Sequence, residues 1–200
     1  ATIHGFNEFV QGQRAAQDAG EAFLTLVKFD SPHITTVYEN VHVAQVPNLD
    51  RETYTPRGGT NLMDAIGDTM TRINRLLSGI SQDQRPGVLV VIITDGAENA
   101  SRQFHGEQIK TMVKQAETVG DWTFTFLGAN VDAFAMGATF GMNASNTASY
   151  DTASMGATMD VLSKTTVNLR MAKSRGISTE ELYASNALYD LSDRIKMKGQ

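Results

Sequence analysis

The feature that most constrains the fold is an uninterrupted apolar run from Val88 to Ile93. Chain-breaking residues bound the run on both sides, Arg85-Pro86-Gly87 before it and Thr94-Asp95-Gly96 after it. A strand that is apolar on both faces is typical of a parallel sheet covered by helices on both sides. The run is too short to cross a membrane, which takes about 20 apolar residues in a helix. We therefore predict a central strand of a mostly parallel sheet in an α/β domain.

Segments with helical and strand periodicity alternate along the chain, as an α/β domain requires. Apolar residues at helical spacing predict helices over residues 1–16, 62–77, 109–116, 131–140 and 155–173. Apolar or β-branched runs predict strands over 23–29, 33–38 and 122–127, and the short turn between the first two predicts an antiparallel pair. Residues 47–59 and 143–150 are polar and are predicted loops, the second with a short edge strand.

The 200 residues are enough for one ordinary domain. We expect a single α/β domain over residues 1–173 and a C-terminal helical extension over 174–200. Ser178 and Glu181 have the spacing of a capping box at the start of a last helix. That helix, with apolar residues Leu182, Leu188, Leu191 and Ile195, would either pack on the domain or project toward a partner.

Composition excludes several classes of protein. The net charge of −5 opposes non-specific nucleic-acid binding, which needs a basic surface. The absence of Cys excludes disulfide scaffolds, zinc–thiolate sites and thiol nucleophiles. We expect no nucleic-acid partner and no membrane partner, and the acidic, Cys-free composition fits a cytoplasmic or virion setting.

The loops that follow the predicted strands are where a ligand would bind in an open α/β sheet. Asp95 follows the most apolar strand, where a carboxylate is costly unless a cation or hydrogen-bond donors satisfy it. The alternative is that the Asp95-Gly96 pair forms only a turn.

The loop over residues 57–61 leads into a predicted helix and contains Gly58-Gly59-Thr60-Asn61. It could bind an anion at the helix N-terminus, or Thr60 could offer its hydroxyl to a hard cation. The simpler alternative is that Thr60 or Asn61 caps the helix. Taken together, a hydroxyl and a carboxylate on neighbouring loops suit Mg²⁺, which takes few protein oxygens and keeps several waters.

Two motifs separated by one amphipathic helix, Gly58-Gly59-Thr60-Asn61 and Ile93-Thr94-Asp95-Gly96, resemble the second and third elements of the metal-ion-dependent adhesion site of the von Willebrand factor A domain. The form Thr-Asp-Gly-x-Glu-Asn at 94–99 and the segment 126–133 are similar to the small stand-alone members of bacteria and their phages. The resemblance covers about residues 1–173.

The resemblance implies a doubly wound, Rossmann-like sheet with a divalent ion, Mg²⁺ or another cation, at its carboxyl edge. An acidic side chain of a protein partner would complete the coordination of that ion. By position, Thr60 would bind the metal directly, and Asp95 would do so directly or through water. The residues that would support these ligands are Asp30, Gly59, Asn61, Glu98, Asn99 and Asn130.

The chain departs from the family in one large respect. The first strand of the family and its Asp-x-Ser-x-Ser motif are absent, since the sequence starts within the helix that should follow them. The resemblance places that strand at the sheet centre, between the segments 23–29 and 88–93. We expect that a segment preceding Ala1 supplies it, or, as the alternative, that another polypeptide does.

These patterns favour a non-enzymatic protein–protein interaction module. The alternative is a structural subunit of a larger assembly, such as a virion component, that keeps the fold without a working metal site. A third hypothesis is a metal-dependent hydrolase or phosphoryl-transfer enzyme using Asp95, but no motif places a second acid or a Lys to assist it.

Overall fold

The computed structural model describes residues 2–55, 58–119, 121–178, 181 and 188–200. Helices and strands alternate along this part of the chain, as the periodicity predicts. The helices are α1 (Thr2–Ala15), α2 (Leu62–Leu77), α3 (Gly106–Val119), α4 (Ala133–Thr139), α5 (Met155–Ser174) and α6 (Leu191–Met197). The strands are β1 (Phe23–Phe29), β2 (Ile34–His42), β3 (Val88–Thr94), β4 (Trp122–Gly128) and β5 (Thr147–Ser149).

A three-stranded parallel sheet in the order β3-β4-β5 forms the middle of the fold. Its register runs from Val88 opposite Trp122 to Thr94 opposite Gly128. β4 is the central strand and is buried along its whole length. The prediction that the run from Val88 to Ile93 is the central strand is therefore wrong for this sheet. Among the described strands β3 pairs only with β4, so it lies at an edge.

Helices cover both faces of the parallel sheet, which explains why β3 is apolar on both sides. Val90 and Ile92 belong to a core formed with α2 and α3. Val91 and Ile93 pack on the opposite face, together with Phe9 of α1 and the apolar residues of α5. A mixed α/β fold with a parallel sheet between helices is thus confirmed.

β1 and β2 form a separate antiparallel sheet, in which Phe29 lies opposite Ile34, as predicted for this pair. The same helices that cover β3 also cover β1. Leu26 packs in the core that contains Val10 of α1, whereas Phe29 packs against the core that contains α2 and Val90. The two sheets therefore share their helical layers without pairing with each other.

β1 and β3 each have one edge that pairs with no other strand among those described. Both are mostly half-buried despite their apolar sequences, whereas β4 is fully buried. A backbone edge without a ladder partner leaves N–H and C=O groups to be satisfied elsewhere. The expectation of a further strand between β1 and β3 stays a prediction.

The described C-terminal residues pack on the domain. Tyr189 is 1% exposed and its hydroxyl forms a 2.7 Å hydrogen bond with Thr125 of β4. The Arg194 guanidinium of α6 donates hydrogen bonds to the carbonyls of Thr147 and Ser145, which holds α6 against β5. None of the described helices combines the length and the apolar character that a membrane span needs.

The structure agrees with the predicted start of the last helix but not with its extent. Ser178 and Glu181 form the predicted reciprocal bonds, with the Ser178 N–H 2.9 Å from a Glu181 carboxylate oxygen. Leu182 lies outside the described residues. Leu188 precedes Asp190, which caps a separate helix, so the prediction of one helix containing Leu188, Leu191 and Ile195 is wrong.

Candidate functional site

Two close approaches to glycines bring three loops together at the carboxyl ends of β1 and β3. Gly59 has φ of +83°, and a Cβ built on it would lie 2.5 Å from the Cβ of Ser31, directly after β1. A Cβ on Gly96 would lie 2.7 Å from the Thr60 hydroxyl oxygen. Because a Cβ at either position would meet these atoms at under 3.0 Å, glycine lets the Thr60 loop touch both strand ends without a shift.

Asn99 holds the Thr60 backbone in place from the loop after β3. The Thr60 N–H donates to the Asn99 side-chain carbonyl at 2.9 Å. In return, the Asn99 and Ala100 N–H groups donate to the Thr60 carbonyl at 3.0 and 3.2 Å. The loop with Thr60 and the loop with Asp95 are therefore tied together as one unit. Asn99 thus fixes the backbone of the Thr60 loop, whereas its support of a metal ligand stays a prediction.

Glu98 connects the loop after β3 to the start of α2. One carboxylate oxygen accepts bonds from the Ala100 and Ser101 N–H groups, and the other accepts from the Met63 N–H and the Ser101 hydroxyl, all within 2.9 Å. Burial alone would raise the pKa of Glu98, but these hydrogen bonds outweigh burial and lower it. Glu98 is thus an ionised carboxylate that ties the loop after β3 to the N-terminus of α2.

Asp64 is a second carboxylate that fixes the loop after β3, and the sequence patterns did not identify it. It is 5% exposed and accepts the N–H groups of Arg102, Gln103 and Phe104 at 2.8–2.9 Å. Burial opposes ionisation, yet the three backbone bonds lower its pKa overall. The only sequence signal for this role was an acidic residue in the first turn of a helix. Acidic residues are common there because they interact favourably with the helix dipole, so the signal does not single out Asp64.

Asp95 is exposed at the carboxyl end of β3. Its negative charge acts on two phenols that sequence reasoning also missed, Tyr54 and Tyr150. Burial is the main cause that raises the pKa of Tyr150, to about 12, with Asp95 and Tyr54 adding to it. Burial followed by Asp95 likewise raises the pKa of Tyr54. No motif links these three residues, which are far apart in the sequence.

Asn61 is buried beside Thr60 and does not cap α2 through its side chain. Its side-chain oxygen has no hydrogen-bond partner among the described residues. A buried polar atom without a partner is costly, and such atoms in native proteins call for an explanation such as an absent ligand, water or segment.

Two predicted supporting residues have other contacts. The Asp30 carboxylate lies 3.2 Å from the His33 ring in the turn between β1 and β2. Asn130 is exposed in the loop after β4 with φ of +56°. Within the described ranges no hydrogen bond joins either residue to Thr60 or Asp95, although the Ala129 N–H ties that loop to the Thr94 carbonyl at 2.9 Å.

Oxygen atoms of the kind that bind hard divalent cations occur at this edge. Thr60 supplies a hydroxyl, Asp95 an exposed carboxylate, and Asn61 has a buried oxygen without a partner. Such oxygens suit Mg²⁺, which binds few protein ligands and retains waters. In the part of the chain that the structure describes, no three His, Asp or Glu side chains come together to hold an ion. A site on Thr60 and Asp95 would therefore depend on water for its other ligands.

Comparison of the chain with protein-family models, with curated proteins and with solved structures found no match.

Proposed function

We propose that this chain is a von Willebrand factor A-like interaction module. It holds Mg²⁺, or another divalent cation, on Thr60 and Asp95 and engages an acidic group of a protein partner. The observation that carries the proposal is the approach of the Thr60 hydroxyl to Gly96, the residue that follows the exposed Asp95. A hydroxyl and a carboxylate from two loops thus lie at the same edge of the sheet.

The surrounding residues support a rigid platform for those two ligands. Asn99 fixes the backbone of Thr60, while Glu98 fixes the start of α2 that follows it. Preorganised ligands lose little freedom when they bind, which favours affinity. A bound divalent cation would supply the positive charge that attracts a carboxylate of the partner. The doubly wound sheet of that family would be complete with one further strand between β1 and β3.

A binding role is favoured over catalysis by how the nearby acids are used. Glu98 and Asp64 direct their carboxylate oxygens to N–H groups of the loop after β3, and Glu98 also accepts from the start of α2. Their lowered pKa values and full set of partners make them poor general bases, which work best with a pKa near the operating pH. Asp95, which is exposed and precedes Gly96, is the carboxylate that we assign to the ion.

Isothermal titration of the full-length protein with Mg²⁺ tests the proposal. We expect saturable binding that Asp95→Asn and Thr60→Val each weaken at least about tenfold, since each variant removes a ligand and keeps the side-chain shape. The matched controls are Asp83→Asn and Thr118→Val, at exposed positions away from the site, and they should bind as the wild type does. Equal affinity in all five proteins would contradict the proposed metal site.

The alternative, a structural subunit of a larger assembly, is favoured by one observation. Leu191 and Ile195, one helical turn apart on α6, are 74% and 40% exposed. Residues four apart share a helix face, so α6 presents apolar area that another subunit could cover. Light scattering of the wild type and of Leu191→Glu would test it. A monomer in both at high concentration would exclude self-assembly through α6.

A further inference from the structure

Ser31, two residues after the end of β1, packs on the loop that carries Thr60. A Cβ built on Gly59 would lie 2.5 Å from the Ser31 Cβ, 3.3 Å from the Ser31 backbone nitrogen and 3.4 Å from the Ser31 Cα. The backbone of Ser31 takes part in this contact, so the contact does not depend on the flexible end of a side chain. The Ser31 side chain therefore starts beside the residue that precedes Thr60.

The contact limits the distance between Ser31 and Thr60. A carbon–carbon bond is about 1.5 Å long and consecutive Cα atoms are about 3.8 Å apart, so the Ser31 Cβ lies within about 8 Å of the Thr60 Cα. A hydroxyl oxygen that binds Mg²⁺ lies about 2.1 Å from the ion, so a Ser and a Thr that share one ion can span up to about 8 Å between the same two atoms. The spacing of Ser31 and Thr60 thus permits one ion to bind both hydroxyls.

Ser31 also has a side-chain oxygen that no protein group uses. The residue is exposed, and its hydroxyl forms no hydrogen bond within the described part of the chain. The neighbouring Asp30 differs, because its side chain is only 15% exposed and its carboxylate lies 3.2 Å from the His33 ring. Of these two residues at the end of β1, Ser31 is the one whose oxygen is open to a ligand.

The groups around the start of α2 favour a cation over an anion at these hydroxyls. A helix N-terminus binds anions when its N–H groups are free. Here the Met63 N–H already donates to the Glu98 carboxylate at 2.9 Å, and the Thr60 N–H donates to the Asn99 side chain. The negative charge of Glu98 repels an anion and attracts a cation.

The Asn61 side chain is independent evidence for a ligand at the Thr60 loop. An Asn that starts a helix usually accepts an N–H of the first turn, but the Met63 and Asp64 N–H groups donate to Glu98 and to Ser101 instead. The Asn61 oxygen is therefore not needed by the helix. It is buried without a partner in a residue that is 4% exposed, and such atoms point to a bound ligand, water or ion.

We propose that the Ser31 hydroxyl is a third protein ligand of the divalent cation on Thr60 and Asp95. This inference rests on the proposed function and adds the loop after β1 to the ion site. Mg²⁺ binds in octahedral geometry and keeps several waters, so Ser31 takes a position that water would otherwise hold. The loops after β1, before α2 and after β3 then meet at one ion.

Ser31→Ala is the first test, because it removes the hydroxyl at an exposed position and leaves the backbone contact with Gly59. We expect calorimetric titration of the full-length protein to show Mg²⁺ binding that is about three- to tenfold weaker than in the wild type. The matched control is Ser81→Ala, at an exposed position between α2 and β3, which should bind Mg²⁺ as the wild type does. Circular dichroism checks that each variant is folded.

Ser31→Cys is the second test and reports the bond itself. The chain has no Cys, so the variant carries a single thiol, and thiolates prefer soft cations. We expect it to bind Cd²⁺ at least about tenfold more tightly than Ser81→Cys does, with the ultraviolet charge-transfer absorption of a cadmium–thiolate bond. Adding Thr60→Val to Ser31→Cys should abolish this gain, because the ion would lose a shared ligand.

The outcomes separate this inference from the proposed function. If the wild type binds Mg²⁺ but Ser31→Ala binds it equally well, or the two Cys variants bind Cd²⁺ equally, the role of Ser31 is overturned and the metal site on Thr60 and Asp95 stands. A Cd²⁺ gain that survives Thr60→Val would assign the ion to Asp30 and His33 and would also overturn it. A wild type that binds no Mg²⁺ contradicts the proposed function, and this inference fails with it.

Discussion

Gly96→Ala is the substitution that most sharply tests the geometry of the site. The added Cβ would lie 2.7 Å from the Thr60 hydroxyl oxygen, a distance that real Cβ atoms essentially never show. Ordinary contact begins at 3.4 Å, so the hydroxyl has to retreat by about 0.7 Å or rotate to another rotamer. Gly96 does not have a positive φ, so the alanine backbone itself is unstrained.

The expected effects on folding and on metal binding differ in size. Moving Thr60 off its preferred rotamer costs about 0.5–1.5 kcal/mol, which most domains tolerate. Removing the hydroxyl from the site takes away one of the protein ligands, so we expect Mg²⁺ affinity to fall at least tenfold, about 1.4 kcal/mol. The variant should therefore remain folded and bind the ion poorly.

The assay is calorimetric titration with Mg²⁺, accompanied by urea unfolding of the same samples. Gly58→Ala is the matched control, because it lies in the Thr60 loop and a Cβ there would have open space around it. We expect the control to bind Mg²⁺ as the wild type does. Equal Mg²⁺ affinity in Gly96→Ala and wild type would refute the claim that the Thr60 hydroxyl is a ligand at this position.

Two further predictions concern the scaffold around the site. Asp64→Asn should lower the free energy of unfolding by about 1.5–3 kcal/mol at pH 7, because an amide nitrogen would face a backbone N–H that the carboxylate now accepts. Asp68→Asn, on the same helix but without such bonds, should change it by less than about 0.5 kcal/mol in urea unfolding. Since the pKa of Asp64 is lowered in the folded state, its stabilisation is full above the unfolded value of about 3.9 and is lost as the pH falls through the folded value. An Asp64→Asn deficit that stays constant down to pH 2 would contradict this. In hydrogen exchange on the 200-residue chain alone, every second amide of β3 should exchange at least about tenfold faster than the amides of β4, because β3 pairs on one edge only among the described strands. Uniform protection along β3 would show that another strand pairs with it.

Local periodicity was sufficient to predict most of the elements. The apolar stripe of α2 predicts only a helix, and the apolar run of β3 predicts only a strand, because in each segment the length and the apolar period indicate the same element. The order of the strands in the sheets was harder to predict from the sequence, since strand pairing depends on contacts between distant segments. β5 is the short edge strand predicted within the polar loop 143–150. Its burial was not predictable, because Asn146 and Thr147 are polar yet 0% and 1% exposed. The strand is covered by α6, through Arg194, and nothing local to either segment encodes that contact.

The candidate site was predictable where a motif is contiguous and hidden where it is not. Thr60 and Asp95 stand in short loops next to glycines, and their place at strand ends follows from the topology of α/β sheets. The bonds of Asp64 join residues 38–40 positions apart, and the charge of Asp95 acts on the pKa values of Tyr54 and Tyr150 only through the fold. Long-range polar contacts of this kind leave no periodic signal in a single sequence.

The most direct test of the account is the anomalous diffraction of Mn²⁺ soaked into crystals of the full-length protein in place of Mg²⁺. We predict one strong anomalous peak at the carboxyl edge of the sheet, about 2.0–2.3 Å from the Thr60 hydroxyl oxygen and within direct or water-mediated reach of the Asp95 carboxylate. A peak elsewhere, or well-ordered Thr60 and Asp95 side chains with no peak beside them at saturating Mn²⁺, would contradict the account.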